Sequence, residues 1–294
     1  MIPRYEVAEI SKIWSDENKF RRWLDVELAV CRAWTEKGVI PEKDFENIKA
    51  KAAFNVDRIH EIEAVTHHDM IAFNTCVAET VGESGRYVHL GLTSSDVIDT
   101  ASSLMLGESL EFTVKNIEKL RKVIGEKAVK YKKTPCAGRT HGIHAEPTTF
   151  GLKLLNHYSE LGRDIERLKT AREEMLVGAI SGAVGTYANC PPEIEARACE
   201  LLGLKVDPVS TQIIQRDRHA RVLTDLAIAG ASLNVWRLKY AICNARKCLK
   251  RLNLSAKDRK VPLQCLTRKT RYSAKESAAW RGCFAETRCR QWKI

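Results

Sequence analysis

No run of apolar residues in this chain approaches the roughly 18 that a membrane-spanning helix needs. The first ten residues, MIPRYEVAEI, lack the apolar core of a secretory signal. Cysteines at the C-x2-C spacing of a zinc ribbon are missing, and the alternating pattern of a half-buried strand is nearly absent. Without export, scattered cysteines read as reduced thiols, not a disulfide framework. A soluble cytoplasmic protein of the all-α class is expected.

What is present is unevenly spread. The net charge is +11, yet residues 234–294 carry 17 Lys/Arg against 3 Asp/Glu, while residues 1–233 carry 31 against 34. The basic character therefore belongs to the last part of the chain alone. Cysteine divides in the same way, five before residue 234 (Cys31, Cys76, Cys136, Cys190, Cys199) and five after it. With 294 residues, the chain is long enough for one large or two ordinary domains.

Residues 1–233 read as helix after helix. Phe20, Trp23, Leu24, Leu28 and Cys31 recur at three- and four-residue steps, and Gly38 and Pro41 close that segment. A shorter helix opens at Pro41, and another runs from Asp69 to Glu79, stopping near Gly82. Ser95 or Asp96 caps a very long helix to about Lys132, where Thr134-Pro135 breaks it. The next starts at Pro147, a good first-turn residue, and reaches Met175. Past a Gly-rich stretch, helices are expected over 192–202 and 211–233. Helices of ~30 residues are about three times the usual length. They imply a long-helix bundle whose central helices pack against partner subunits.

Three polar loops carry the chemistry. "AVTHHDMIAF" holds His67, His68 and Asp69; "VHLGLTSSDVID" holds His89, Thr93, Ser94, Ser95 and Asp96; "GRTHGIHAEPTTFG" holds Arg139, His141, His144 and Glu146. Histidine titrates near neutrality and serves as acid or base. Hydroxyls and exposed N–H groups at a helix start favour phosphate or carboxylate. Together they point to an anionic small substrate and proton transfer. A metal site competes for these histidines, but His141-x-x-His144 lacks the i,i+4 spacing of a helical zinc site. A fourth segment, "PVSTQIIQRDRHARVL", offers Gln212, Arg216, Arg218 and His219, and arginine suits a carboxylate or phosphate.

"HLGLTSSDVIDT", "GRTHGIHAEPTTFGLK" and "SGAVGTYAN", in this order, closely resemble the adenylosuccinate lyases of the fumarase/aspartase superfamily, and the similarity runs over residues 1–233. The resemblance implies elimination of fumarate from adenylosuccinate to give AMP, and the equivalent cleavage of a succinyl-carboxamide intermediate of purine synthesis. It implies a homotetramer of long helices, active sites built from three subunits, and no cofactor or metal. It assigns the acid to His141 and support of substrate phosphate and orientation to His68. Arg4, Tyr5, His67, Asp69, His89, Thr93, Ser94 and Gln212 match substrate-binding positions. The expected organisation is an N-terminal domain over 1–110, the start of a central helix bundle over 111–233, and an irregular basic tail over 234–294. The sister reading is a lyase acting on argininosuccinate or a related fumarate-releasing substrate.

The tail departs from the family. The base of such a lyase is a serine on a loop resembling "GSSAMPHKKNP", and residues 234–294 carry no such loop. Basic charge would suit a nucleic-acid arm, and the cysteines, as C-x4-C, a lone Cys265 and C-x5-C, miss zinc-ribbon spacing. The codons give another account. Pairing the third base of each codon with the first two of the next leaves only the wobble base free. From Lys257 to Arg271 that frame permits GQKGSSAMPHKKNP, the missing loop. Directly after Leu233 it permits ERLALEIRNLQRTEVLE. The tail therefore reads as out-of-frame sequence, one base lost or two gained near codon 233, and the chain is expected to be inactive. The nucleotides across codons 257–271 should encode GQKGSSAMPHKKNP in the alternative frame; a stop codon or unrelated residues there would make the tail a sequence in its own right.

Overall fold

A computed structural model describes residues 3–141 and 143–243. The chain divides into two units, of which residues 1–230 form the first. In the first, a three-residue 3-10 turn at Pro3–Tyr5 precedes α1 (Ala8–Ile13) and α2 (Asp16–Glu36). Asn18 N–H donates to the Ser15 hydroxyl at the start of α2, and Asp16 and Glu17 oppose the helix dipole in its first turn. The expected stripe is buried: Phe20, Trp23, Leu24 and Cys31 all face the core.

Next come α3 (Glu42–Lys51), α4 (Val56–Thr66) and α5 (Asp69–Val81). The helix α4 went unpredicted, although Asn55 caps it by accepting from Arg58 N–H at 2.9 Å. These helices meet in an aromatic cluster. The rings of Phe20 and Phe73 stack at 5.8 Å, and Trp23 meets Phe73 edge-on at 5.5 Å. Both phenylalanines are almost wholly buried.

The long helix α6 (Ser94–Lys130) has 37 residues, about 55 Å at 1.5 Å per residue. Its partner α7 (Phe150–Met175) runs back along it. The antiparallel sense follows from the contacts. A Cβ on Gly125 would come 2.9 Å from the Tyr158 ring, and one on Gly151 would come 2.5 Å from the Ala128 carbonyl. Arg172 near the end of α7 donates from Nε to the Gly107 carbonyl at 3.1 Å.

Between α6 and α7 stands an antiparallel hairpin, β1 (Pro135–Thr140) and β2 (Ile143–Thr149), where a loop was expected. Pro147 lies in β2 opposite Ala137, not in a first helical turn. A strand with only one neighbour tolerates a residue without an N–H. Thr149 is the actual cap, accepting from Leu152 N–H at 3.1 Å. A second small pair, β3 (Val177–Gly178) and β4 (Lys205–Val206), is parallel and flanks α8 (Pro192–Leu202). The helix α9 spans Asp217–Cys243, starting later than expected and passing residue 233. Residues 234–243, expected to be irregular, are thus helical, because VWRLKYAIC contains no helix breaker. The rest of the basic tail lies outside the described residues. The fold is an all-α bundle with these two minor strand pairs. Phe73→Ala should cost about 3–5 kcal/mol, read as a lower urea midpoint; an unchanged midpoint would show that this cluster does not hold the first unit together.

Candidate active site

Two carboxylates three residues apart share one face of α6. Asp96 is 2% exposed and accepts from Thr93 N–H at 2.8 Å and from Gly182 N–H at 3.2 Å. Asp99 accepts from Ile214 N–H at 2.9 Å and from both terminal nitrogens of Arg216 at 2.9 and 3.0 Å. The first turn of α6 therefore grips two loops, 181–190 and 207–216. The hydroxyls of Ser181 and Ser210 join those loops at 2.7 Å. From α8, buried Glu195 accepts from Ile180 N–H and from the Tyr187 hydroxyl, each at 2.7 Å. Gly91 adopts φ 78°, and a Cβ there would sit 2.5 Å from the Asn189 carbonyl, so the loop before α6 lies directly on 181–190.

Among the described residues, the non-glycine residues with positive φ are His67 (52°), His89 (67°), His141 (52°) and Tyr187 (57°). Three of the four are candidate histidines. That conformation costs an L-residue about 1–2 kcal/mol, and such strain gathers at functional sites.

Each histidine is set differently. His67 ends α4, its N–H donating to the Glu63 carbonyl at 2.8 Å. His68 caps α5 with its ring: Ile71 N–H donates to Nδ1 at 3.3 Å. Nδ1 must then be the acceptor, which leaves Nε2–H as a donor on a half-exposed ring. Asp69 uses Oδ1 to accept from Met70 N–H at 2.7 Å. His89 presents Nδ1 and its backbone N–H to buried Glu27, at 2.7 and 2.8 Å. His141 stands exposed at the turn of the hairpin, where Thr140 pairs with Ile143.

Thr93 caps α6 and Ser94 opens it, so both stand beside the first-turn N–H groups of a 37-residue helix. Gln212 is exposed on the loop that Asp99 holds. Arg4 and Tyr5 lie in the 3-10 turn, with the guanidinium 5.2 Å from the ring centre. Arg216 and Arg218 do hold carboxylates, but the chain's own: Asp99, and Asp207 at 2.9 Å. Among the described residues, no group of three His, Cys, Asp or Glu side chains could hold a metal ion.

The structure brings Thr93, Ser94, His89 and Gln212 onto loops held around the first turn of α6. It does not bring His141 to them. The hairpin leaves from the other end, where Phe150 N–H donates to the Thr134 carbonyl and Gly151 N–H to the Tyr131 carbonyl. Even folded fully back, a six-residue strand covers about 20 Å of the ~55 Å helix. Sequence reasoning missed Glu27 and Asp99, although a signal existed. Glu27 falls on the Phe20–Trp23–Leu24–Cys31 stripe, and Asp99 falls in the apolar run VIDTA.

Burial pushes the Asp96 carboxyl from its usual 3.8 up to about 6, against the pull of the N–H donors. His219 is pushed down by burial and by Arg216. Burial and neighbouring carboxylates push the Cys190 thiol up to about 12. For Asp96 the folded state holds a proton that the unfolded state has lost between pH 3.8 and about 6. Its contribution to stability is therefore fully present below that window and lost as the pH rises through 6. Asp96→Asn removes the titration. The stability of the variant relative to the parent should be highest near neutral pH and should fall toward pH 4 in urea titrations; a pH-independent difference would contradict a raised carboxyl.

A family model described as "Lyase" matches residues 4–237. The chain is 52% identical over 236 residues to the adenylosuccinate lyase of Aquifex aeolicus strain VF5, covering 79% of this chain and 54% of that protein. It is 50% identical over 242 residues to the adenylosuccinate lyase of Bacillus subtilis strain 168, covering 82% and 55%. The chain thus spans about half the length of the curated relatives it matches. Among solved structures, a fumarate lyase from Mesorhizobium sp. BNC1 aligns with a TM-score of 0.77 at 28% identity, covering 81% of this chain and 58% of that one. A 3-carboxy-cis,cis-muconate lactonizing enzyme from Pseudomonas putida aligns at 0.76 and 28%, covering 82% and 57%. With its helices, its loop motifs and a family match over most of its length, the chain belongs to the lyase family of the fumarase/aspartase superfamily.

Proposed function

We propose that residues 1–233 form the amino-terminal part of an adenylosuccinate lyase, which eliminates fumarate from adenylosuccinate and from the succinyl-carboxamide intermediate of purine synthesis. The observation that carries this reading is the placement of the "TSSD" motif on the anchored first turn of α6, in a chain about half identical to adenylosuccinate lyases. Thr93, Ser94 and the N–H groups of that turn suit a substrate carboxylate, whose charge grows as the neighbouring carbon loses its proton. Gln212 adds a polar contact from the loop that Asp99 holds. His68, with Nε2–H outward, donates to a phosphate oxygen, and His67, Asp69, His89, Arg4 and Tyr5 complete the substrate contacts. His141 gives its proton to the purine nitrogen as the carbon–nitrogen bond breaks. The base is the serine that the alternative reading frame encodes.

The length of α6 supports a site shared between subunits. One chain holds Ser94 and His141 some tens of ångströms apart, so both can meet one substrate only when different subunits contribute them. A homotetramer with shared sites satisfies this requirement. The described residues include no helix long and apolar enough to cross a membrane; the reading places the enzyme in the cytoplasm, without cofactor or nucleic-acid partner.

Restoring one base near codon 233 should give a protein that releases fumarate from adenylosuccinate, while the 294-residue chain should release none. In the restored protein, His141→Gln and Ser94→Ala should each lower kcat by about 100-fold or more. Refolding the two variants together should recover activity, because some mixed sites carry both native residues. Normal turnover by the 294-residue chain would refute the base assignment, and no recovery on mixing would refute shared sites.

A further inference from the structure

The helix α2 does more than fill the core. Glu27, Cys31 and Trp34 lie at i, i+4 and i+7 on one of its faces. All three bond to the short segment 87–90. The Trp34 indole donates to the Leu90 carbonyl at 3.1 Å, and the Cys31 thiol makes a long 3.6 Å contact with the Tyr87 carbonyl. Between them, Glu27 takes both bonds from one residue, accepting the His89 backbone N–H on Oε2 and facing His89 Nδ1 with Oε1.

Glu27 is 1% exposed. A carboxylate removed from water needs donors to replace its hydration, and among the described residues the hydrogen bonds to Glu27 come from His89. An unprotonated Nδ1 would set one lone pair against another at 2.7 Å. The proton therefore sits on Nδ1, and Nε2 is the ring nitrogen left to face outward. The His89 ring is 23% exposed, and the left-handed backbone at φ 67° brings main chain and ring onto the same carboxylate.

We propose that Glu27 is a positioning residue for His89: it fixes the ring orientation and the Nδ1–H tautomer, so that Nε2 is presented to the substrate as an acceptor. The presentation to substrate rests on the lyase reading; the tautomer does not. His68 is set the opposite way, its Nδ1 accepting and its Nε2–H donating. The two imidazoles thus offer complementary atoms, one donor and one acceptor, each fixed by the protein before substrate arrives.

Nitrogen-15 spectra of the 294-residue chain labelled at histidine read this directly. Magic-angle spinning makes the assembly state immaterial, and His89→Gln assigns the signal. Above neutral pH, His89 should show the Nδ1–H pattern, the reverse of free imidazole side chains in water. Glu27→Gln keeps the shape but can donate as well as accept, and should abolish that preference. A purely structural Glu27 would lower stability and leave the His89 pattern unchanged in the variant. An Nε2–H pattern in the parent chain overturns the proposal, as does an unchanged pattern in Glu27→Gln. Should that variant fail to fold, the parent spectrum decides alone. No catalysis is measured, so failure here and failure of the lyase reading are separate results.

Discussion

A carboxylate moved from water into a protein interior costs several kcal/mol unless donors replace its lost hydration. In this chain Glu27, Asp96, Asp99 and Glu195 are all buried, and their donors come largely from loops. The dependence runs both ways. The helices supply rigid sites for the charges, and the loops stay in place because leaving would strand a charge. Each bond to such a group contributes about 1.5–3 kcal/mol, enough to hold a short irregular segment against the entropy of release. The loops around the first turn of α6 are thus held by bonds to buried charges in addition to their own buried apolar side chains, Ile180, Cys190 and Ile214.

Such anchoring bears on the strained histidines. A left-handed backbone persists only where its surroundings over-determine it. His89 meets this condition through two bonds to Glu27, and His67 through the junction of two helices capped on either side. His141 meets it through the hairpin register alone, on an exposed turn. It is the least supported of the three.

Most of the longer helices were legible in the sequence where a cap adjoined a periodic stripe, although α4, capped by Asn55, was not. Ser95 or Asp96 announced α6 to within a turn of its actual cap Thr93, and the helix expected over 192–202 matches α8. Pro147 misled because a proline suits a first helical turn and a bare strand edge equally well. The hairpin escaped because GRTHGIHAEP has no alternation: most of its side chains are exposed on both faces. The late start of α9 was hidden for another reason. Residues before Asp217 are held out of helix by Asp99, more than a hundred positions away in sequence. Among the site residues, the motif-bearing histidines and hydroxyls could be named from sequence; for Glu27 and Asp99 the sequence signalled burial on an apolar stripe but not their partners on other elements. The charge and cysteine shift at residue 234 was the clearest compositional boundary, and the family match ends at residue 237.

The helix α6 also sets a phase. An α-helix turns 100° per residue, so adding or removing one residue anywhere along its 37 would swing one end by that angle relative to the other. Ser94 at one end and the hairpin with His141 at the other would then point along different azimuths. Replacement of an exposed residue on α6 disturbs only its own surroundings. A change in residue count disturbs both ends together. The length of this helix is for that reason more constrained than its composition.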